Sequence, residues 1–583
     1  MSEVALNRFH ILRLALVIEV IAIIVSAAAI SRDFQDGWVL EGLEIPFAIF
    51  VTTYIIYVFV ETEVRWIITF AVIFRVVIGL LPNLKYLWFQ GIWPDQHSAY
   101  RLAQDIYDQN HIPTGMYYSD TPHMHLFFAI FSKETGIPLL SSFKYCPILM
   151  WSIYPLVMFV ILKSCGETKK TSLLKYALIV SSIPVDDATS YIVSGSLIGV
   201  LMSLLLLSEF MRLLQTKDRR DWIILLIYAF ALVSAHSYSA TMLMIALFIV
   251  FAAMPLARRF LPKNLAQLQL KPLFATLMVL GLMNLVWLSH KAGYMLNLMI
   301  KFMRGYVSRV LGTKVLLGQP VPPRFFELMR TNFIEGSKVI LVWYGATLLV
   351  IFLASIGLLL VAKKIREQSR SFVFLVAYVV SLSLLLILGL TLRIASGWSE
   401  RIMRHLIVIF PIFCGISLVY VDKKLRKLAV FIIAILMVLA TLQFYGCQPL
   451  VPSASVINKE LPVDVPIGYR VVVNSIYQRD MIQFAERFIP QNRSLRIACD
   501  RVTQYQIMGL TSWNFSTSHL ALYYPLDKSV LEREYYYFLI HLPGMSGRFY
   551  ERAEIRTPGL ILQVIYNSSI LCSNGESYLL IER

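Results

Sequence analysis

The sequence predicts a polytopic α-helical membrane protein of about thirteen transmembrane helices, carrying a C-terminal extracytoplasmic α/β domain. Two observations lead there. Of the 583 residues, 57% are hydrophobic and only 15% charged, with a mean hydropathy of +0.66, a composition far outside that of soluble domains. Apolar runs of about 20 residues, enough to cross a hydrocarbon core of roughly 30 Å, recur from residue 11 to residue 445 and then stop. The chain therefore divides into a membrane domain, 1–445, and a water-soluble domain, 446–583.

In order, the expected spans are 11–30, 43–60, 64–82, 145–162, 174–190, 192–213, 222–235, 239–256, 272–289, 338–361, 371–392, 405–421 and 427–445. Lys and Arg accumulate in short cytoplasmic loops. With Arg8 and Arg13 inside, the inner loops hold KSCGETKK, QTKDRR, ARRFLPK, KKIREQSR and DKKLRK, while the alternate loops hold Asp33, Asp36, Glu41, Asp95, Asp105, Asp108, Asp120, Asp186 and Asp187. An odd number of spans then leaves the N-terminus cytoplasmic and the C-terminal domain outside, in a multi-pass plasma-membrane protein. The three N-x-[ST] sites, at Asn492, Asn514 and Asn567, all fall in that outer domain. The first span lacks a small-residue cleavage site and is expected to be retained.

The net charge of +17 lies mostly in the inner loops, against anionic lipid, so no nucleic-acid partner is expected. One outer segment departs from the pattern. The loop 290–337 is basic and carries Met295, Leu298, Met299 and Phe302 at helical spacing, which suits a helix in the membrane interface or a surface for an anionic lipid-linked substrate. The six cysteines form no CxxC pair, and Cys499 and Cys572 are either a disulfide or two free thiols.

The first large outer loop, 83–144, opens with GIWPDQHSAYRLAQDIYDQNHIP. Trp93-Pro94-Asp95 has the form of a helix start, with Pro in the first turn and an acid favoured by the dipole. At about 100° per residue, Ala99, Leu102, Ala103 and Ile106 share one face, and Asp95 lies within roughly 40° of Ala99, Leu102 and Ile106. Asp105 and Asp108 are expected on the solvated side. Asp95 is thus either a helix cap or an acid aimed at a partly dehydrated cleft.

The Trp93-Pro-Asp95 start after a span resembles the GT-C superfamily of integral-membrane glycosyltransferases, as do NHIP at 110–113, Tyr117…Pro122…His125 and Thr135-Gly-Ile-Pro138. SYIVSGSLIGVLMSLLLLSEF, LVSAHSYSATMLMIALF and SERIMRHLIVIFPIF are similar to later segments of that superfamily. The resemblance implies transfer of a sugar from a polyprenyl-phosphate donor to a glycan, lipid or protein acceptor, as in dolichyl-phosphate-mannose and aminoarabinose-type transferases. It implies Asp95 as the general base and cations at the outer end of a span as partners of the departing phosphate. Arg401 and Arg404, three apart on one helical face with His405 beside them, are the first choice and Arg393 the reserve. His97, Asp120, His123, His125 and His236 are candidates to line the cleft, with a hydrogen-bonded structural histidine the plainer reading of His236. Asp186 and Asp187, together with Asp95, are either solvated acids or ligands of a divalent cation, magnesium or manganese.

The chain departs from the oligosaccharyltransferase pattern: it has no WWDYG motif, and no DxD or ExD stands in the second acidic loop. Its acidic loop also follows about the third span rather than the first. Transfer of one sugar from a monophosphate therefore fits better than en bloc transfer to asparagine. A transporter or flippase of lipid-linked saccharides is the rival class; it would place acids within the spans, where Glu19 and Arg75 are the main charges. A non-catalytic scaffold is a further rival. In 446–583, YRVVVNS and YYYFLIHL have strand patterns, RDMIQFAERFIP a helix pattern, and LQVIYNSSILCSNGESYLLIER that of two strands around an Asn-Gly turn. That domain is expected to bind acceptor or to cap the cleft.

Overall fold

The structure is a computed structural model. It describes residues 17, 54, 63–85, 94–113, 122–166, 171–183, 195–216, 218–260, 270–290, 300, 333–365, 368–391 and 396–446, and the strand segments 497–499, 520–522, 537–541, 568–573 and 577–582. Within these, helices form where apolar runs were expected: α1 (Val64–Lys85), α2 (Pro94–Gln109), α3 (His123–Thr135), α4 (Leu139–Ser152), α5 (Tyr154–Ser164), α6 (Thr171–Ser182), α7 (Gly195–Thr216) and α8 (Arg219–Ala235). They continue with α9 (Ser237–Phe260), α10 (Leu270–His290), α11 (Phe333–Lys363), α12 (Arg370–Thr391), α13 (Ser396–Ile407), α14 (Phe410–Lys424) and α15 (Arg426–Gly446). The expected spans 11–30 and 43–60 and the interfacial loop 290–337 lie largely outside the described residues, as does the helix expected at 479–490.

Among the described residues, six helices are long and apolar enough to cross a membrane, or seven if α13 and α14 form one bent span. Many large apolar side chains face outward, Ile223, Leu282, Phe352, Leu359 and Phe431 among them. Such a surface is solvated by lipid tails and would be a liability in water. The chain is a polytopic helical membrane protein.

Helix α14 lies between α6 and α11. Gly357 of α11 makes the close approach possible, because a Cβ there would stand 2.0 Å from the Phe413 carbonyl oxygen. Small residues at such crossings let backbones meet where hydrophobic driving force is absent. Side chains of α14 then donate directly to α11 carbonyls: Ser417 Oγ to Leu353 at 2.6 Å and Cys414 Sγ to Val350 at 3.3 Å. At one end of the bundle a polar belt joins α5, α7 and α12. Gln215 Nε2 donates to the Ser164 carbonyl at 2.6 Å and to Ser371 Oγ at 3.0 Å, and Ser369 Oγ donates to the Cys165 carbonyl at 2.6 Å.

Two expected spans are interrupted. The run 145–162 becomes α4 and α5, parted at Ile153, with Pro155 in the first turn of α5. The run 405–421 is broken between α13 and α14, which meet at 43°. Pro411 explains the second break: lacking an N–H, it cannot donate to the Ile407 carbonyl. The Val408 carbonyl, released at the break, accepts a hydrogen bond from Tyr154 Oη.

The C-terminal strands β1 (Ile497–Cys499), β2 (Leu520–Leu522), β3 (Tyr537–His541), β4 (Ser568–Ser573) and β5 (Ser577–Glu582) form one sheet in the order β2-β1-β3-β5-β4. β1 is parallel to β2 and β3, while β5 is antiparallel to β3 and β4. The β4–β5 hairpin is the pair expected around Asn574-Gly575, and its register shifts between Ile570 and Cys572. Cys499 ends β1 and Cys572 lies in β4. β1 and β4 are three strand spacings apart, about 14 Å, whereas a disulfide needs Cα atoms within about 7 Å.

Candidate functional site

The α2–α3 pair is built by the pattern read from the sequence. Ala99, Leu102, Ala103 and Ile106 are all buried. Leu102 and Ile106 cluster with Ala129 of α3, and Ala99 and Ala103 cluster with Met124, Phe128, Phe143, Ile198 and Ala235. The C-terminal ends of the pair are tied together. Lys133 donates to Asn110 Oδ1, and its ammonium lies 5.0 Å from the Tyr107 ring centroid. Asn110 closes α2 at a φ of 59°, a left-handed conformation that Asn tolerates.

One expectation for α2 is corrected. Asp108 is exposed and accepts from Gln104 Nε2 at 3.0 Å, but Asp105 is buried, 3.1 Å from Arg101. The buried arc runs from Ala103 to Asp105, about 160° of the helix, wider than the apolar stripe alone. Burial pushes the Asp105 carboxyl above its ordinary value against the pull of Arg101, and Asp108 adds to the rise.

The N-terminal ends of α2 and α3 meet the end of α8. Ala99 and Ala235 share a cluster, and His123 stacks edge-on to Trp287 of α10 at 5.9 Å and meets the backbone of Ser234. Burial lowers the His123 pKa, with the Ser234 contact opposing. His125 is fully buried on α3. Asp95 and His97 lie in the first turn of α2, outside the described side chains; Asp95 stands one turn, about 6 Å, before Ala99.

At this point the chain breaks for a single residue. α8 stops at Ala235, His236 has φ −158° and ψ 84°, and α9 begins at Ser237. His236 acts as the cap of α9: its Nδ1 accepts the backbone N–H of Ser239 at 3.2 Å and lies 2.7 Å from Ser239 Oγ. That contact fixes the tautomer, with the ring proton on Nε2. Gly199 of α7 permits it, since a Cβ there would stand 2.7 Å from both His236 Cβ and Ser239 Oγ. Burial, helped by Arg401, His405 and Arg404, pushes the His236 pKa down to about 3.

Helix α13 supplies those cations. The Arg401 guanidinium lies over the Tyr238 ring, 4.3 Å from its centroid, and among the described residues no carboxylate pairs with Arg401. His405 is buried one turn on. The structure thus brings together Ala99, Ala235, His123, His236, Arg401, Arg404 and His405. Tyr238 was missed from sequence; its only signal was its place two residues after His236. Arg393, Asp120, Asp186 and Asp187 lie outside the described residues; among the described residues no group of three potential metal ligands occurs.

Solved structures share this fold. Over 83% of this chain and 69% of that one, the protein superposes on the Archaeoglobus fulgidus oligosaccharyltransferase in complex with Zn and sulfate, at a TM-score of 0.53 and 12% identity. The chain shares the fold of that archaeal enzyme. The same archaeal enzyme tethered to an acceptor peptide with the NVT sequon matches 89% of this chain and 74% of its own at a TM-score of 0.50 and 10% identity. ArnT from Cupriavidus metallidurans bound to undecaprenyl phosphate aligns at a TM-score of 0.49 and 9% identity, covering 89% of this chain and 97% of that one. No protein-family model matches the sequence, and no curated protein matches it.

Charges buried between the helices have structural partners. Arg75 of α1 donates to the Ser181 carbonyl and lies 5.4 Å from the Trp151 ring and 5.0 Å from that of Tyr154. Glu209 of α7 lies 3.2 Å from Arg212, which also pairs with Asp221. Lys144 of α4 lies 5.2 Å from the Tyr145 ring. Arg75 thereby joins α1 to α4, α5 and α6, and the Arg212–Asp221 pair joins α7 to α8.

Proposed function

We propose that this chain is a membrane glycosyltransferase that moves a sugar from a polyprenyl-phosphate donor to an extracytoplasmic glycan, lipid or protein acceptor, with inversion. The carrying observation is the junction of α2, α8 and α13. The turn that holds Asp95 precedes Ala99, Ala99 clusters with Ala235, and Arg401 stacks on Tyr238 two residues past His236. An acid-bearing helix start and a cation that no carboxylate matches among the described residues, gathered at one junction, are what this transfer needs. The fold shared with a glycosyl-transferring membrane enzyme supports the same reading.

In this mechanism the Asp95 carboxylate takes the proton of the acceptor hydroxyl as its oxygen attacks the anomeric carbon. The bond from that carbon to the phosphate oxygen breaks on the opposite face, so the configuration inverts. Arg401 and Arg404, with Arg393 in reserve, neutralise the charge on the departing polyprenyl phosphate. His97, Asp120, His123 and His125 border the cleft. Asp95, Asp186 and Asp187 are an oxygen donor set suited to magnesium or manganese, and such an ion would add positive charge beside the leaving group. The protein sits in the plasma membrane with its N-terminus inside. Residues 446–583 lie outside, where they bind acceptor or cap the cleft.

The Asp95→Asn exchange keeps size and removes basicity, so turnover with a radiolabelled polyprenyl-phosphate sugar should fall about 10²- to 10⁴-fold. Expression and insertion should be unchanged. Parental turnover in correctly inserted Asp95→Asn protein would return Asp95 to the role of a helix cap.

A further inference from the structure

The proposed donor site leaves the α8–α9 break without a task beyond joining two helices, yet its construction is specific. A helix break at an outer end is satisfied by any Ser, Thr, Asp or Asn cap. Here the cap is a histidine, and its ring is used on one side only. Nδ1 faces the backbone N–H and hydroxyl of Ser239, and among the described residues Nε2 has no hydrogen-bond partner. Because Nδ1 accepts the amide proton, the imidazole is neutral and Nε2 carries the hydrogen. Gly199 leaves room on the Nδ1 side of the ring, where a Cβ would stand 2.8 Å from Nδ1 and 2.7 Å from Ser239 Oγ, so the ring and its partner pack directly against the α7 backbone.

The next outward residue in the register, Tyr238, is buried and spreads its ring beneath the Arg401 guanidinium at 4.3 Å. The planar cation stacked on an aromatic face is fixed in tilt while its N–H edge remains open to an anion. Arg401, Arg404 and His405 all act on His236 electrostatically, so the imidazole and the arginines share one neighbourhood. A protonated histidine there would add a third cation to a crowded site. A neutral one adds a directed donor without that repulsion.

We propose that the α8–α9 break is a half-site for the donor phosphate: His236 gives its Nε2–H as a neutral hydrogen-bond donor to the anion that Arg401 binds, and Tyr238 is the positioning residue that orients Arg401. This rests on the donor-phosphate reading of Arg401 given above. The ligand class is a lipid-linked phosphate monoester or diester, recognised by one fixed guanidinium and one fixed imidazole N–H.

Two substitutions at His236 separate the donor role from the capping role. Asn is a good helix cap but too short to reach where Nε2 lies, whereas Gln carries an amide N–H out to that distance. Binding of polyprenyl monophosphate to the full-length protein in lipid nanodiscs is measured, with the uncharged polyprenol as control. His236→Asn should keep the parental melting temperature and weaken phosphate binding roughly 10- to 100-fold, the loss of one hydrogen bond to a charged group. His236→Gln should bind more tightly than His236→Asn. Tyr238→Phe, which keeps the ring, should match the parent, while Tyr238→Leu should lose roughly 3- to 30-fold. Added to Arg401→Ala, Tyr238→Leu should cost nothing more, because it acts only through Arg401. Polyprenol should bind every variant alike. Parental phosphate binding by folded His236→Asn and Tyr238→Leu, with binding lost in Arg401→Ala, would overturn this inference alone. Parental binding by Arg401→Ala would overturn the donor-site reading beneath it.

Discussion

Asp105 shows how a single residue escapes a sequence reading and what its placement costs. Helical spacing located the apolar stripe of α2 from Ala99 to Ile106, all of it buried, but set Asp105 among the solvated acids. Its burial depends on Arg101, one turn earlier, folding over it at 3.1 Å, and on α3 covering the neighbouring Leu102 and Ile106. Neither is visible in a one-dimensional pattern. A carboxyl whose pKa is raised on folding binds its proton more readily in the folded state, so its ionised form subtracts stability as pH rises above 3.8. Asp105→Asn should therefore raise the thermal stability of the solubilised protein at pH 7, and the difference from the parent should shrink as pH falls toward 3.8. A variant less stable than the parent at pH 7 would mean that the Arg101 pair outweighs the burial of the charge. Tyr238 was overlooked for a similar reason: its role appears only when α13, more than 150 residues on, lays Arg401 across it.

At the scale of elements, the helices were legible because an apolar run of span length has few alternatives in a membrane. Their ends and interruptions were less so. The α4–α5 parting has a local cause in Pro155, but the bend between α13 and α14 has one local cause, Pro411, and one remote one, Tyr154, whose hydroxyl takes up the Val408 carbonyl. That bond joins α5 to the start of α14 and keeps Arg401 and Arg404 on a helix that turns away from the span below. Arg75 contributes from the other side, its guanidinium near the rings of both Trp151 and Tyr154. Tyr154→Phe keeps the ring contact with Arg75 and removes only the hydroxyl. It should lower stability by roughly 0.5–2 kcal/mol, the range for a buried hydrogen bond between membrane helices. Thermal unfolding in detergent reads this directly, and an unchanged melting temperature would show that the freed carbonyl has another donor.

For the whole molecule, the charge pattern and the packing agree on which groups share an end. The belt of Ser164, Cys165, Gln215, Ser369 and Ser371 gathers at the ends of α5, α7 and α12 that border Lys- and Arg-rich loops. His123, Ala99, Ile198 and Ala235 gather at the opposite ends of α7 and α8. Which end faces the cytoplasm follows from the positive-inside rule and carries the whole substrate assignment, because an extracytoplasmic acceptor requires Asp95 to be outside. Cysteine labelling of intact cells tests it, provided the probes are exposed in the fold. His111 at the end of α2 and Arg220 at the start of α8 are both exposed. Cys146, Cys165 and Cys414 are buried, so a background lacking Cys447, Cys499 and Cys572 should be silent. A membrane-impermeant maleimide should then modify His111→Cys in intact cells and reach Arg220→Cys only after permeabilisation. The reverse pattern would turn the molecule over, placing the α2–α13 junction in the cytoplasm and removing the extracytoplasmic acceptor from the proposal.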